Sequence, residues 1–276
     1  MSKRNAGNAI SLNGDAADSW RIFRIMSEFV EGFEVLASVG NAVSLFGSAR
    51  TKPDDPMYKA AEETARLLAK AGFGVITGGG PGIMEAGNKG AFEAGGKSIG
   101  LNISLTHEQE ANKYQTIGLD FHYFYARKVM FVKYASAFIC FPGGYGTLDE
   151  FFETLTLIQT LKIDAYPILL FGSHYWRGLM EWIRATLMPK FIDGEDMDIF
   201  RLVDTPEEAV RLVKQGVKKS WWQPRDHDLK KLMSNGRKSL PLAGEKSKVT
   251  GEGTRYGSRP VRTTKKHAKA ERKPQQ

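Results

Sequence analysis

The stretch Ala137-Phe138-Ile139-Cys140-Phe141-Pro142-Gly143-Gly144-Tyr145-Gly146-Thr147-Leu148-Asp149-Glu150 decides how the rest of this 276-residue chain is read. Its first five residues are apolar and β-prone, and residues 151–161 that follow have the apolar spacing of a helix. The segment between is therefore a strand-to-helix turn. Gly143, Gly144 and Gly146 let the backbone approach a ligand closely, while the helix start offers unpaired N–H groups and the positive end of its dipole. Such a turn binds anions, phosphate above all. Asp149 and Glu150 are expected inside that first helical turn, either to serve chemistry beside the phosphate or only to complement the dipole.

Working outward, residues 42–46 form an apolar strand that runs into Gly47-Ser48-Ala49-Arg50, and residues 58–71 read as a helix stopped by Gly72. The strand 73–77 then opens a second glycine-rich turn, Gly78-Gly79-Gly80-Pro81-Gly82-Ile83-Met84-Glu85, and a helix over 86–94. Two such turns in one alternating chain converge on the same edge of a parallel sheet. Neither fits the GxGxxG dinucleotide fingerprint or the GxxxxGK[ST] phosphate loop, which disfavours a nicotinamide enzyme and an ATPase. Residues 97–101 are a third strand and 102–119 an irregular covering loop. His107, Glu108 and Glu110 in that loop have the wrong spacing and too few partners for a metal site. A short aromatic strand or turn at 121–125 leads to a helix over 126–134, with Arg127 and Lys128 at its start. Cations there oppose the dipole, so an anion is expected to repay them.

Further along, 167–171 and 200–203 are strands, 175–188 is a helix, and Thr205-Pro206-Glu207-Glu208 caps the last one. Before the first strand, Ile22, Phe23, Met26, Phe29, Val30, Phe33 and Leu36 recur at helical spacing, a helix packed on the body or on a second subunit. The pattern predicts a single α/β domain at 19–222 with a mainly parallel sheet covered by helices on both faces, a disordered segment at 1–18, and a disordered basic tail at 223–276.

The net charge of +8 belongs to the tail: from Val217 onward there are 17 Lys+Arg against 5 Asp+Glu, leaving the preceding 216 residues at −4. A basic nucleic-acid groove on the body is thereby disfavoured, and weak nucleic-acid contact is confined to the tail. No apolar run is long enough to span a membrane and the N-terminus has no signal-peptide core, so a cytoplasmic protein is expected. The single cysteine, Cys140, excludes an intrachain disulfide and reads as a small buried hydrophobe.

The two glycine motifs, with Arg127-Lys128 between them, resemble the LOG family, the cytokinin riboside 5′-monophosphate phosphoribohydrolases formerly labelled "possible lysine decarboxylase". The resemblance covers residues 20–216, and its most specific element is the PGGxGTxxE pattern of 142–150. It implies a Rossmann-like doubly wound fold, usually dimeric, that hydrolyses the N-glycosidic bond of a nucleoside 5′-monophosphate such as AMP to a free base and ribose 5-phosphate. In that family the arginine of the RK pair and the last glutamate of the motif are catalytic, which places these roles on Arg127 and Glu150. Gly143, Gly144, Gly146 and Thr147 would hold the phosphate, and Gly47, Ser48, Gly79, Gly80, Met84, Glu85 and Lys128 complete the candidate substrate contacts. Met84, Phe121 and Tyr125 could line an apolar slot for a prenylated base. No cofactor and no metal are called for, and no pyridoxal phosphate signature is present. The alternative reading is a non-catalytic carrier that uses the same sheet to hold a nucleotide or pterin.

Overall fold

The computed structural model describes residues 17–104 and 111–224. His107, Glu108, Glu110, the basic tail beyond Pro224 and nearly all of the N-terminal segment lie outside the described residues.

Each strand of the inner sheet is a short apolar run because it is covered on both sides. In chain order the elements are α1 (Ala17–Leu36), β1 (Ala42–Phe46), α2 (Pro56–Lys70), β2 (Gly74–Thr77), α3 (Ile83–Glu93), β3 (Ser98–Ile103), β4 (Ile117–Phe121), α4 (Phe124–Tyr134), β5 (Ala135–Cys140), α5 (Tyr145–Gln159), β6 (Ile168–Phe171), α6 (Ser173–Trp182), β7 (Phe200–Val203) and α7 (Pro206–Lys218). A π-helical turn, Ile183–Leu187, continues α6, and a 3-10 turn spans Gly194–Asp198. The strands form one seven-stranded sheet in the order β4-β3-β2-β1-β5-β6-β7, every pair parallel. Strand order reverses at β1, which lies between β2 and β5.

Side chains alternate across β1: Val43 and Leu45 enter one core with Tyr58, Leu68, Ile83 and Val213 of α2, α3 and α7. Ala42 and Phe46 enter the other with Leu36, Met130, Phe151 and Trp176 of α1, α4, α5 and α6. The sheet is thus doubly wound, as the strand–helix alternation predicted. Capping follows the sequence as well. Asp55 accepts from the Met57 N–H at 2.7 Å with Pro56 opening α2, and Thr205 accepts from the Glu208 N–H at 3.2 Å with Pro206 opening α7.

Three expectations are corrected. The covering loop at 102–119 is shorter than read, because β3 runs on to Ile103 and Ile117–Phe121 is an edge strand whose Ile-Gly-Leu-Asp-Phe alternation buries only Leu119 and Phe121. The segment 121–125 divides between the end of β4 and the start of α4. Finally, α5 begins at Tyr145 with Gly144 as its N-cap, so its first turn holds no acidic residue; Asp149 and Glu150 stand one turn further in. Gly146 lies not in the loop but in the first helical turn, where a glycine costs little and leaves the helix start open.

α1 packs on α4 through its inner arc, and the Glu28 carboxylate accepts from the backbone N–H groups of His122 (2.8 Å) and Tyr123 (3.3 Å). That cap fixes where α4, and Arg127 with it, leaves the sheet. Ile22, Phe23, Met26 and Val30 on the outer arc are each more than half exposed.

Candidate active site at the switch point

Three turns meet where the strand order reverses, above the C-terminal ends of β1, β2 and β5, the place where open parallel sheets bind ligands. Ser48 joins them through its backbone. Its N–H donates to Pro142 O of the β5 turn at 3.0 Å, and its carbonyl accepts from the Ile83 N–H of the β2 turn at 3.0 Å. The junction is too tight for side chains. A Cβ on Gly47 would sit 2.6 Å from Ile83 Cγ2, and Gly82, at φ +69°, would drive one into the Ser48 carbonyl.

On the β5 side, Gly144, Tyr145 and Gly146 are exposed and the Thr147 side chain is buried beneath them. The start of α5 is therefore an open set of backbone N–H groups at the positive end of a helix. Tyr175 of α6 steadies this turn by donating its hydroxyl to Gly143 O at 2.6 Å.

Arg127 lies across the β2 side. Its Nε donates to Leu101 O at 2.7 Å, its Nη2 to Gly78 O at 3.1 Å, and its guanidinium stands 5.2 Å from the Phe131 ring centroid. Burial lowers its pKa to about 10, and the nearby Glu150 charge partly offsets that. Glu150, on the inner face of α5, is 9% exposed, and its Oε2 makes no hydrogen bond among the described residues. Burial raises its pKa to about 7; the Lys128 and Arg127 charges pull the other way, and Glu153 and Asp149 add to the rise. A buried carboxyl raised toward neutrality within range of the Lys128 and Arg127 charges is an arrangement suited to proton transfer.

Lys128 turns from the turns to α5, bridging Asp149 at 2.8 Å and Glu153 at 2.6 Å. Burial works against its charge, but these two hydrogen bonds outweigh it and its pKa is raised. The anion that its place near the start of α4 calls for is thus supplied from within the protein, and Asp149 is an ion-pair partner rather than a dipole complement. Met84 lies against Gly78 beside Arg127, while Glu85 points to α2 and accepts from Tyr58 at 3.2 Å. Cys140 is buried beneath the site, its thiol pushed up by burial and then by the Glu150 charge, which suits no nucleophile.

Tyr175, Asn102, Asn112 and Gln115 also shape the turns and carried no sequence signal. Tyr175, Asn112 and Gln115 each donate to a backbone carbonyl more than thirty residues away, and Asn102 holds the Gln115 side chain.

The sheet order and the cleft above it define a Rossmann-like α/β protein. The likeness read from the motifs is shown by comparison: the model of the family described as "Possible lysine decarboxylase" matches residues 84–213. Cytokinin riboside 5′-monophosphate phosphoribohydrolase LOG3 of Arabidopsis thaliana is 34% identical over 90 residues, 32% of this chain and 41% of that relative. The chain thus spans about two-fifths of that relative's length. An X-ray structure from a structural-genomics consortium is 26% identical, with a TM-score of 0.50 over 63% of this chain and 99% of that one. The molybdenum cofactor carrier protein of Chlamydomonas reinhardtii is 21% identical, with a TM-score of 0.51 over 65% of this chain and 99% of that one, a likeness of fold alone.

Proposed function

We propose that the protein hydrolyses the N-glycosidic bond of a nucleoside 5′-monophosphate, giving a free base and ribose 5-phosphate. The observation that carries this is the buried Glu150 carboxylate, its Oε2 without a hydrogen-bond partner among the described residues, within electrostatic range of the buried Arg127 and on the helix whose N-terminus is open. The likeness to the phosphoribohydrolase LOG3 of Arabidopsis thaliana supports the same substrate class.

In this reading the N–H groups at the start of α5 and the Gly143–Gly144 backbone take the 5′-phosphate, a remote handle that orients the ribose. Cleavage of the C1′–N bond leaves its electron pair on the base and builds positive charge on the sugar. The Glu150 carboxylate stabilises that charge and takes a proton from the attacking water, whose oxygen bonds to C1′; the proton then passes to the departing base, which leaves neutral as the carboxylate is restored. Arg127 stays charged and steadies the anionic side of the substrate. A carrier needs the glycine turns but not a buried acid near pKa 7, so Glu150 favours the enzyme over the carrier reading.

Incubation with a panel of nucleoside monophosphates should release ribose 5-phosphate from at least one of them. The matching nucleoside should be cleaved at least roughly a hundredfold more slowly, since lost phosphate binding energy appears in kcat/KM. Equal rates would end the phosphate-handle argument, and no release from any monophosphate would return the carrier reading.

The reading also includes a homo-oligomer joined through the outer arc of α1, whose exposed apolar residues exceed what a solvated helix carries. Phe23→Glu combined with Val30→Glu should convert the wild-type oligomer to monomer in light scattering. A monomeric wild type would remove this part.

A further inference from the structure

The second glycine turn is held from behind by side chains of the 111–116 segment. The Asn112 N–H donates to Gly79 O at 2.8 Å; its side-chain Nδ2 reaches Gly79 O at 2.9 Å, Gly80 O at 3.0 Å and Asn88 Oδ1 at 2.9 Å. Gln115 Nε2 adds a further donor to Gly79 O at 3.0 Å and is itself fixed to Asn102 of β3. The Asn112 Oδ1 is occupied too, accepting from the Tyr114 N–H at 3.1 Å. Behind Asn88 the network continues to Thr77 Oγ1 and Ser98 Oγ, so the clamp is anchored in buried structure.

A carbonyl surrounded by donors has its direction set. In a trans peptide the C=O of one residue and the N–H of the next point in opposite directions. With Gly79 O held toward β3, the Gly80 N–H is turned the other way. From β2 that way leads to β1 and β5, where Ser48 and the Gly143–Thr147 turn lie. Gly80 is buried, and among the described residues nothing accepts a hydrogen bond from its N–H. A buried N–H without a partner is costly, so a ligand oxygen there is favoured. Gly79, at φ +72°, is the residue that allows the peptide this orientation.

We infer that Asn112, seconded by Gln115, is a positioning residue that aims the Gly80 N–H into the switch-point cleft to donate to an oxygen of the substrate's ribose 5-phosphate. The inference rests on the reading of the cleft as a ribosyl-phosphate site. It adds a donor from β2 to those at the start of α5, so the substrate is gripped from both sides of β1.

The test uses ribose 5-phosphate as the probe, on the full chain, with Asn112→Ala, Asn112→Asp and Gln115→Ala. In the wild type the Gly80 amide resonance should move downfield as ribose 5-phosphate is added. Asn112→Ala should weaken binding roughly ten- to a hundredfold, the range for a lost hydrogen bond to a charged acceptor, with the Gly80 shift lost. Asn112→Asp, which can still accept from Tyr114 but sets a carboxylate against two carbonyls, should bind no better than Asn112→Ala. Gln115→Ala should weaken binding less than either, because Asn112 still holds Gly79 O. With a nucleoside monophosphate, KM should rise in these variants while kcat changes little, whereas a merely structural role would lower the folded fraction and leave the affinity of the folded protein intact. Wild-type binding without movement of the Gly80 amide, or unchanged affinity in folded Asn112→Ala, overturns the inference and leaves the site reading standing. No binding of ribose 5-phosphate or any monophosphate by the wild type overturns both.

Discussion

Glu150→Gln is expected to keep nucleotide binding, to release base roughly a hundred- to ten-thousandfold more slowly, the span of a lost general base, and to be more stable than the wild type at pH 8. The stability gain follows from the burial of the carboxyl. Its pKa is about 7 in the folded protein against the usual 4.5. Between those values the folded state holds a proton that the unfolded chain has released, so stability is present below pH 4.5 and lost as pH rises toward 7. Glutamine carries no such proton. The variant should gain roughly 3 kcal/mol at pH 8, and much less at pH 5, by the conversion of a pKa difference into free energy. Thermal unfolding at the two pH values checks this, and an equal gain at both would show that the carboxyl's ionisation is not its source. In the wild type, kcat/KM should climb through an acidic limb centred near pH 7, as the base must be ionised.

Arg127 separates geometry from charge. Arg127→Lys should lose roughly a hundredfold or more in kcat/KM, because one ammonium cannot donate in a fixed fork to both Leu101 O and Gly78 O. Each carbonyl left without a donor costs about 1–3 kcal/mol of stability where it is buried. The acidic limb should stay near pH 7 in this variant, since a cation still faces Glu150. In Arg127→Ala the limb should move to higher pH, because the guanidinium lowers the carboxyl's pKa and its removal lets it rise. An active Arg127→Lys would show that Arg127 acts by charge alone, and a limb that moved equally in both variants would show that an ammonium at this position does not reproduce the guanidinium's effect on Glu150.

The sheet was legible because its inner strands are buried on both faces and so read as unbroken apolar runs, as at Ala137 to Cys140. β4 escaped notice for the opposite reason. It is an edge strand with Gly118 and Asp120 on its open side, and its short alternation is lost beside a polar loop. The glycine turns, Arg127 and Glu150 were visible because each lies within a compact local pattern. Nothing local marked the groups that hold them. Glu28 acts on His122, 94 residues away, and Tyr175 on Gly143, 32 residues away, and a single acid or tyrosine has no pattern of its own. Only the register of the assembled sheet brings such pairs together. The start of α5 was misplaced by one turn because Gly146 resembles a breaker, and that turn decided whether Asp149 faced a dipole or a lysine.

The position of β1 bears on how the molecule comes into being. On one side it pairs with β2, the next strand in the chain; on the other, Ala42 pairs with Ala135, so the strip that carries the Ser48 stitch is closed by a contact between residues far apart in sequence. Long-range parallel pairing of this kind is slow, since its loop entropy is spent before its contacts form. The acid, the arginine and the phosphate cradle therefore depend on one long-range pairing, that of β5 with β1, and come into register with one another only when it is made.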